Sequence, residues 1–196
     1  MRTRIDRRAG RARRGQSILE FAIGLPFLTL MTVGTFALGV VIDRHLTVSQ
    51  LTRNAGNMYG RGVNFSQTSN QTLLLQGATG MQMTTTGGKG VIYLSTVIQA
   101  PTGTGKVNAG KAVVIHRIKI GNSSIGPSAV ATPTSVASNG DVNSYEDDVA
   151  ARAVMPAGIT VGVNEKYFLA EVLHTPTEIA FPGFFAPSLL YSRAVF

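Results

Sequence analysis

The first apolar segment of the chain is long enough to cross a membrane. It covers residues 18–42, which contain a single charged side chain, Glu20. About 20 apolar residues in a helix span the ~30 Å hydrocarbon core of a bilayer. The pattern predicts a membrane-spanning helix at about 18–42. A helix buried in a soluble core is an alternative, but such helices are seldom apolar on every face. A cleaved secretory signal is another, although its apolar core is usually roughly 7–15 residues long.

The same helix is expected to continue beyond its apolar part. Leu46, Leu51 and Met58 recur among polar residues, with no proline between them. Gly60 and Gly62 are candidate stop signals, because glycine commonly ends a helix. We therefore predict an N-terminal helix over residues 16–62 and a separate domain over residues 63–196.

Short apolar runs alternate with turn-rich segments in this domain. β-branched and aromatic runs predict strands, which fall at residues 91–98, 112–120, 167–174 and 189–196. The first two are predicted to pair as a hairpin. A helix followed by antiparallel strands is an α+β arrangement, and this is the predicted fold class.

Side-chain alternation predicts which residues share a face of each strand. In the second strand, Val114, Ile118 and Ile120 are expected on one face, and Arg117 and Lys119 on the other. In the third strand, Phe168, Ala170 and Val172 are expected to share a face.

Two helices and one long loop complete the predicted domain. The leucines at 73–75 predict a short helix ended by Gly77 or Gly80. Residues 144–147 have the form of a capping box, which predicts a helix to about Val154. Residues 121–140 are rich in Ser, Pro and Gly and are predicted to form a loop.

Charge is concentrated at the N-terminus. The net charge is +8. Residues 1–14 hold seven arginines and one acid, Asp6, and so carry 7 − 1 = +6, which leaves 8 − 6 = +2 for the rest. Arginines before an apolar helix place the N-terminus in the cytoplasm and the following domain outside. Because the basic residues precede a membrane segment and the body is nearly neutral, the predicted partner is membrane lipid and not nucleic acid.

Composition excludes several other classes of protein. The chain has no cysteine, so disulfide scaffolds, cysteine-ligated metal sites and cysteine nucleophiles are excluded. Apolar residues make up 44% and charged residues 14%, which argues against a disordered chain.

The residues around the start of the apolar helix resemble a known processing site. Arg13-Arg14-Gly15 is followed by Gln16-Ser17-Ile18-Leu19-Glu20-Phe21. This string resembles the processing site of type IV prepilins, in which a basic leader ends in Gly and the fifth mature residue is Glu. With Pro26, Leu28 and Gly34, it is similar to the N-terminal signature of TadE-like proteins, which are minor pilins or pseudopilins of the tight-adherence (Tad, or Flp) pilus system.

The resemblance implies a function and a set of partners. It implies that a prepilin peptidase removes residues 1–15 by cutting between Gly15 and Gln16. It implies assembly with other pilins and minor pilins on an inner-membrane platform, with Glu20, Phe21 and Pro26 in the assembly motif. The role of Glu20 would be to set the register of an incoming subunit.

Elementary electrostatics is compatible with that role. Cleavage would create an α-amine at Gln16, whose reference pKa of about 8 leaves it largely protonated near neutrality. Glu20 lies one helical turn away, within reach of this amine or that of a neighbouring subunit. An unpaired carboxylate in an apolar setting is costly, which favours such pairing.

Small and hydroxyl residues along the helix suggest contacts with other helices. The small ones are Gly24, Gly34 and Gly39, and threonines stand at 29, 32 and 35. Such residues let membrane helices approach closely and form hydrogen bonds. Simple tolerance of Gly and Thr in lipid explains them equally well.

The C-terminal part also resembles the TadE-like pattern. The matching strings are Met155-Pro156-Ala157-Gly158, Tyr167-Phe168-Leu169-Ala170-Glu171-Val172, Pro176, Phe181-Pro182-Gly183 and Ser192-Arg193. The family usually has Tyr where this chain has His174.

No motif predicts a cofactor, a metal or catalysis. The string at 103–106 lacks the first Gly and the Ser or Thr of a phosphate-binding loop, and 141–147 has Glu146 where a calcium loop needs Gly. His45, His116 and His174 show no metal-ligand spacing. We predict a non-enzymatic protein. The alternatives are a signal-anchored extracytoplasmic binding protein unrelated to pili and a membrane-tethered enzyme.

Overall fold

The chain divides into two compact units that share one long helix. The structure is a computed structural model that describes residues 9–103, 105–176 and 189–196. The units are Met1–Ile42 and Asp43–Phe196. Helix α1, Ala9–Gly60, contributes residues to both and ends at one of the two predicted stop positions.

The described part of the first unit is the N-terminal portion of α1, most of which is apolar. Within the described residues, Gln16–Gly60 is the one helical segment long and apolar enough to cross a membrane. Large apolar side chains such as Phe21 and Phe36 are 68% and 67% exposed. The predicted long apolar helix is confirmed.

The second unit contains an antiparallel sheet. Its elements are α2 (Thr68–Gln76), β1 (Gly90–Gln99), β2 (Ala112–Gly121), β3 (Lys166–His174) and β4 (Leu190–Val195), with 3-10 turns at Ser123–Ile125 and Val149–Ala151. The strand order is β2-β1-β3-β4, with every neighbouring pair antiparallel. The predicted α+β class, the hairpin and the short helix ending at Gly77 are confirmed.

Each face of the sheet carries its own core. On one face, the C-terminal part of α1 packs through Val48, Leu51 and Ala55 onto a cluster that includes Ile92 and Val172. The predicted face of β3 joins this core through Phe168, Ala170 and Val172. On the other face, Val130, Val142 and Ala151 from the segment between β2 and β3 cover Val97, Val114 and Leu169. The long predicted loop therefore has a structural purpose, because it closes the second core.

The predicted face of Val114 is wrong. The β1–β2 register shifts between Thr96 and Val97, so that Thr96 pairs with His116 but Val97 pairs with Val114. The extra residue of a bulge reverses the side-chain alternation beyond it. Ile118 and Ile120 therefore face α1, whereas Val114 faces the loop.

The predicted helix from the capping box at 144–147 is also wrong. Ser144 has φ of +52°, which is not the extended conformation of an N-cap residue. Asp148 is the residue that caps, accepting from Ala150 N at 2.9 Å and from Thr134 N at 2.7 Å. The result is a single 3-10 turn, Val149–Ala151.

Some predicted features lie outside the described residues. These are residues 1–8 of the basic leader, Thr104 of the string at 103–106 and the string Phe181-Pro182-Gly183.

Candidate functional site

The predicted processing motif lies on the exposed, apolar part of α1. Gly15 and Gln16 are both within the helix, and Glu20 and Phe21 follow one turn later. The side-chain amide Nε2 of Gln16 donates to Oε1 of Glu20 at 3.1 Å. The carboxylate is exposed and surrounded along the helix by exposed apolar side chains, including Ile18 and Phe21. The structure thus brings Gln16 and Glu20 together.

Pro26 lies inside the helix without ending it. Because proline has no backbone N–H, the carbonyl of Ala22 lacks the amide donor that would normally come from four residues further on. This leaves an acceptor on a stretch of helix that is otherwise apolar.

Two of the three glycines predicted for helix packing have room around them. A Cβ atom added at Gly24 or Gly39 would meet no atom within 4 Å. Gly24, Gly34 and Gly39 are spaced by 34 − 24 = 10 and 39 − 34 = 5 residues, which is not the interval of three or four that aligns residues on one face. Their role in helix packing stays a prediction.

The threonines of this segment are bonded within their own helix. The hydroxyl of Thr29 donates to the Leu25 carbonyl at 2.8 Å, Thr32 to Leu28 at 2.8 Å and Thr35 to Met31 at 2.9 Å. Each hydroxyl proton is therefore already used, and only the oxygen can accept a bond from another helix. This geometry suits tolerance of threonine in lipid.

A second polar cluster is buried in the sheet unit, and the sequence interpretation missed it. Glu171 on β3 is fully buried. Its carboxylate accepts from the Ser128 hydroxyl, from Ala129 N at 3.0 Å and from Tyr191 Oη at 2.8 Å. Three elements, namely the loop, β3 and β4, therefore meet at one carboxylate.

Arg117 on β2 completes this cluster. Its Nη2 donates to Ser128 Oγ at 2.7 Å and to Ser95 Oγ at 3.2 Å, and its guanidinium lies 5.4 Å from the ring centre of Tyr93. Burial lowers the pKa of Arg117, and the negative charge of Glu171 opposes that shift. Because both charged groups are engaged, the cluster fastens residues 128–131 to the sheet and offers no reactive group to a ligand. The signal in the sequence was the pair of opposite charges on two predicted strands, Arg117 on β2 and Glu171 on β3.

A hydrogen-bonded group joins α1 to the same sheet. Tyr59 Oη lies 2.8 Å from Thr96 Oγ1 and 2.8 Å from His116 Nδ1. His116 Nε2 lies 3.1 Å from the Asn139 carbonyl, so that Nε2 donates and Nδ1 accepts from Tyr59. His116 is thereby accounted for by packing and hydrogen bonding, as a residue that links helix, sheet and loop.

A cleft of the second unit has a volume of about 400 Å³. It lies beside the β2 edge, between Phe65, Lys119 and Gly140. Gln71, which lines the cleft, is engaged within the protein, because its Nε2 donates to the Phe65 carbonyl at 2.7 Å. In residues 9–103, 105–176 and 189–196, no group of three or more His, Asp or Glu side chains could hold a metal ion.

The sequence of α1 matches a family model. A model described as TadE-like protein matches residues 15–56. Residues 15–56 are TadE-like. The predicted resemblance is confirmed over this range, which begins at the residue before the predicted cut and contains Glu20, Phe21, Pro26 and the three glycines. The TadE-like match contains no residue of the sheet, so the resemblance of residues 155–196 stays a prediction.

Two wider comparisons add no relative to this TadE-like match. Neither the comparison with curated proteins nor the comparison with solved structures gives a match.

Proposed function

We propose that this TadE-like protein is a minor pilin or pseudopilin that takes part in the assembly of a Tad-type surface pilus. The observation that carries the proposal is the TadE-like match over residues 15–56. It coincides with an exposed apolar helix that bears one carboxylate, Glu20. A helix of this kind needs lipid or other helices around it, and a pilus-assembly subunit encounters both.

Processing and topology are part of the proposal. A prepilin peptidase cuts after Gly15, the N-terminal side of α1 faces the cytoplasm, and Asp43–Phe196 is outside. The arginines before the helix and the nearly neutral sequence after it support this orientation. Other pilins, the membrane platform and lipid are the partners, and the protein has no enzymatic step of its own.

Complementation of a deletion strain tests the role of Glu20. Glu20→Ala is expected to leave the protein inserted in the membrane, cleaved and folded, yet unable to restore surface pili, because the subunit no longer has its registering carboxylate. Glu20→Asp is expected to be intermediate, since its shorter side chain reaches an amine less well. Surface pili are counted, and membrane fractions are blotted in parallel.

A matched control separates registry from a general loss of charge. Glu146 lies in the second unit, and Glu146→Ala removes a carboxylate far along the chain from the motif. It is expected to restore pili as the wild type does. Normal piliation with Glu20→Ala would refute the registry role.

The mature N-terminus tests the processing step. Mass spectrometry is expected to find a chain of 196 − 15 = 181 residues that begins at Gln16. Gly15→Val is expected to leave the precursor intact, because a side chain then occupies the position before the cut. An N-terminus at Met1 would instead favour a signal-anchored binding protein.

A further inference from the structure

Cleavage after Gly15 would create an N-terminal glutamine, and an N-terminal glutamine can cyclise. This inference rests on the proposed cut after Gly15, which makes Gln16 the N-terminal residue. The free α-amine of an N-terminal glutamine can attack the Cδ atom of its own side chain. A bond forms between the α-nitrogen and Cδ, the bond between Cδ and Nε2 breaks, and Nε2 leaves as ammonia with a proton from the amine. The product is pyroglutamate, a neutral lactam, and the reaction needs no oxidant or reductant.

Closure of this ring would remove the charge on which the assembly proposal depends. The ammonium of Gln16 is the group that Glu20 is proposed to pair with, on its own chain or on a neighbour. In pyroglutamate the α-nitrogen is an amide, so it is uncharged at any pH near neutrality. A subunit that had cyclised would present a carboxylate with no cation beside it, which is unfavourable in an apolar setting.

The structure holds the side chain of Gln16 in a conformation that opposes ring closure. Its Nε2 donates to Glu20 Oε1 at 3.1 Å, four residues further along α1. In a helix the residue at i+4 lies one turn towards the C-terminus, whereas the nitrogen of residue i lies on the N-terminal side. Cδ must therefore leave the hydrogen bond and swing back before the amine can reach it. A hydrogen bond to a carboxylate is stronger than one between neutral groups.

The charge of Glu20 opposes the same reaction in a second way. Only the unprotonated amine is a nucleophile, and a carboxylate one turn away favours the protonated form.

We propose that Gln16 is prone to cyclisation after cleavage, and that Glu20 keeps the mature N-terminus open and cationic by holding the carboxamide and by favouring the protonated form of the amine. Glu20 is here a protecting residue, and its loss has a covalent consequence as well as an electrostatic one.

Mass spectrometry of the full mature chain tests this proposal. The wild type, Glu20→Ala and Glu20→Gln are purified from membranes that contain the prepilin peptidase and are incubated at neutral pH. The fraction of N-terminal peptide that has lost one ammonia is followed over time. The wild type is expected to remain open, and Glu20→Ala is expected to cyclise several-fold faster. Glu20→Gln is expected to be intermediate, because its Oε1 still accepts from Gln16 but carries no charge.

Two controls make the outcome specific. Gln16→Ala has no carboxamide at its N-terminus and is expected to lose no ammonia in any Glu20 background. Phe21→Ala changes the neighbouring apolar residue and is expected to stay as open as the wild type, which separates the carboxylate from general disturbance of the helix.

The results distinguish this inference from the function on which it rests. An N-terminus other than Gln16 would refute the processing step itself. A chain cut after Gly15 that cyclises equally fast with and without Glu20, or that is already cyclised in the wild type, would refute the protecting role and leave the proposed function standing.

Discussion

The two units of this chain treat their polar groups in opposite ways. In the first unit, Glu20 is exposed, and its carboxylate accepts from the side-chain amide of Gln16. In the second unit, Glu171 is fully buried and accepts from a serine, a backbone amide and a tyrosine. The comparison teaches that a carboxylate buried and bonded within its own fold stabilises that fold, whereas one exposed on an apolar helix is accessible to a partner.

The largest expected effect comes from removing the buried carboxylate. Glu171→Ala leaves Arg117 buried without its counter-charge and should lower the free energy of unfolding by about 3–5 kcal/mol. All five tyrosines lie beyond residue 43 and the chain has no tryptophan, so tyrosine circular dichroism of the detergent-solubilised chain reports on the second unit. Glu20→Ala should leave that transition unchanged. Equal transitions for the two variants would contradict the comparison.

Glycine substitutions should show the same contrast between the two units, with a smaller change in the free energy of unfolding. Gly121 has φ of +101°, and a Cβ there would lie 2.4 Å from the Gly90 carbonyl oxygen. Gly121→Ala should therefore destabilise the second unit by about 1–3 kcal/mol, measured by the same transition. Gly103→Ala is the control that separates backbone strain from a steric clash. Gly103 also has a positive φ, but a Cβ atom there would have open space around it. Gly39→Ala in the first unit should have no effect on this transition.

Loss of one hydroxyl on α1 should have a more modest effect. Tyr59→Phe removes the bonds to Thr96 and His116, and a typical hydrogen bond contributes about 1 kcal/mol. The free energy of unfolding, measured from the same tyrosine circular-dichroism transition, should fall accordingly. Tyr167→Phe is the control, because the Tyr167 hydroxyl bonds to Glu165 at an exposed site, and it should change little. A similar loss in both would mean that the link between helix and sheet carries no special weight.

Tyrosine ionisation is expected to have the smallest effect on the free energy of unfolding near neutral pH. Its effect becomes measurable only at alkaline pH. Burial raises the pKa of Tyr59, Tyr93 and Tyr191, and the hydrogen bond to Glu171 raises that of Tyr191 further. The unfolded chain ionises near pH 10, before the folded chain. The contribution of these tyrosines to the stability of the second unit is therefore complete below pH 10 and is lost as pH rises above it.

Phenolate absorbance followed during alkaline unfolding measures this dependence. Tyr191→Phe should weaken the dependence of stability on alkaline pH, because the tyrosine with the largest rise in pKa is then absent. A fall in stability that begins well below pH 9 would show that other groups are responsible.

Patterns along the sequence predicted the elements better than they predicted the contacts between them. The apolar segment at 18–42, the strand at 91–98 and the stop at Gly60 are local features, and each is recovered. The face of Val114 was wrong because a bulge depends on the pairing of two strands and leaves no mark on one of them. The burial of Arg117 and Glu171 depends on a loop that folds back over the sheet, which alternation within a strand does not reveal.

In the candidate site too, local features were predicted and contacts between distant residues were not. Glu20 and its neighbours were found because the motif is contiguous and local. The bond from Gln16 to Glu20 follows from helical spacing once the side chains are placed. The capping-box prediction at Ser144 shows the converse, because there the bonds of Asp148 with Thr134 override the local signal.

The strand order has a consequence for the time course of synthesis. β1 is central, pairing with β2 directly after it in sequence and with β3 much later. Between Gly121 and Lys166 the ribosome adds 166 − 121 = 45 residues, which takes roughly 2 to 9 seconds at typical rates of synthesis. For that interval a β1–β2 hairpin has one long apolar strand with an open edge, a template for pairing with other chains. Pairing with β3 closes this edge, so the finished sheet no longer offers β1 for pairing with other chains.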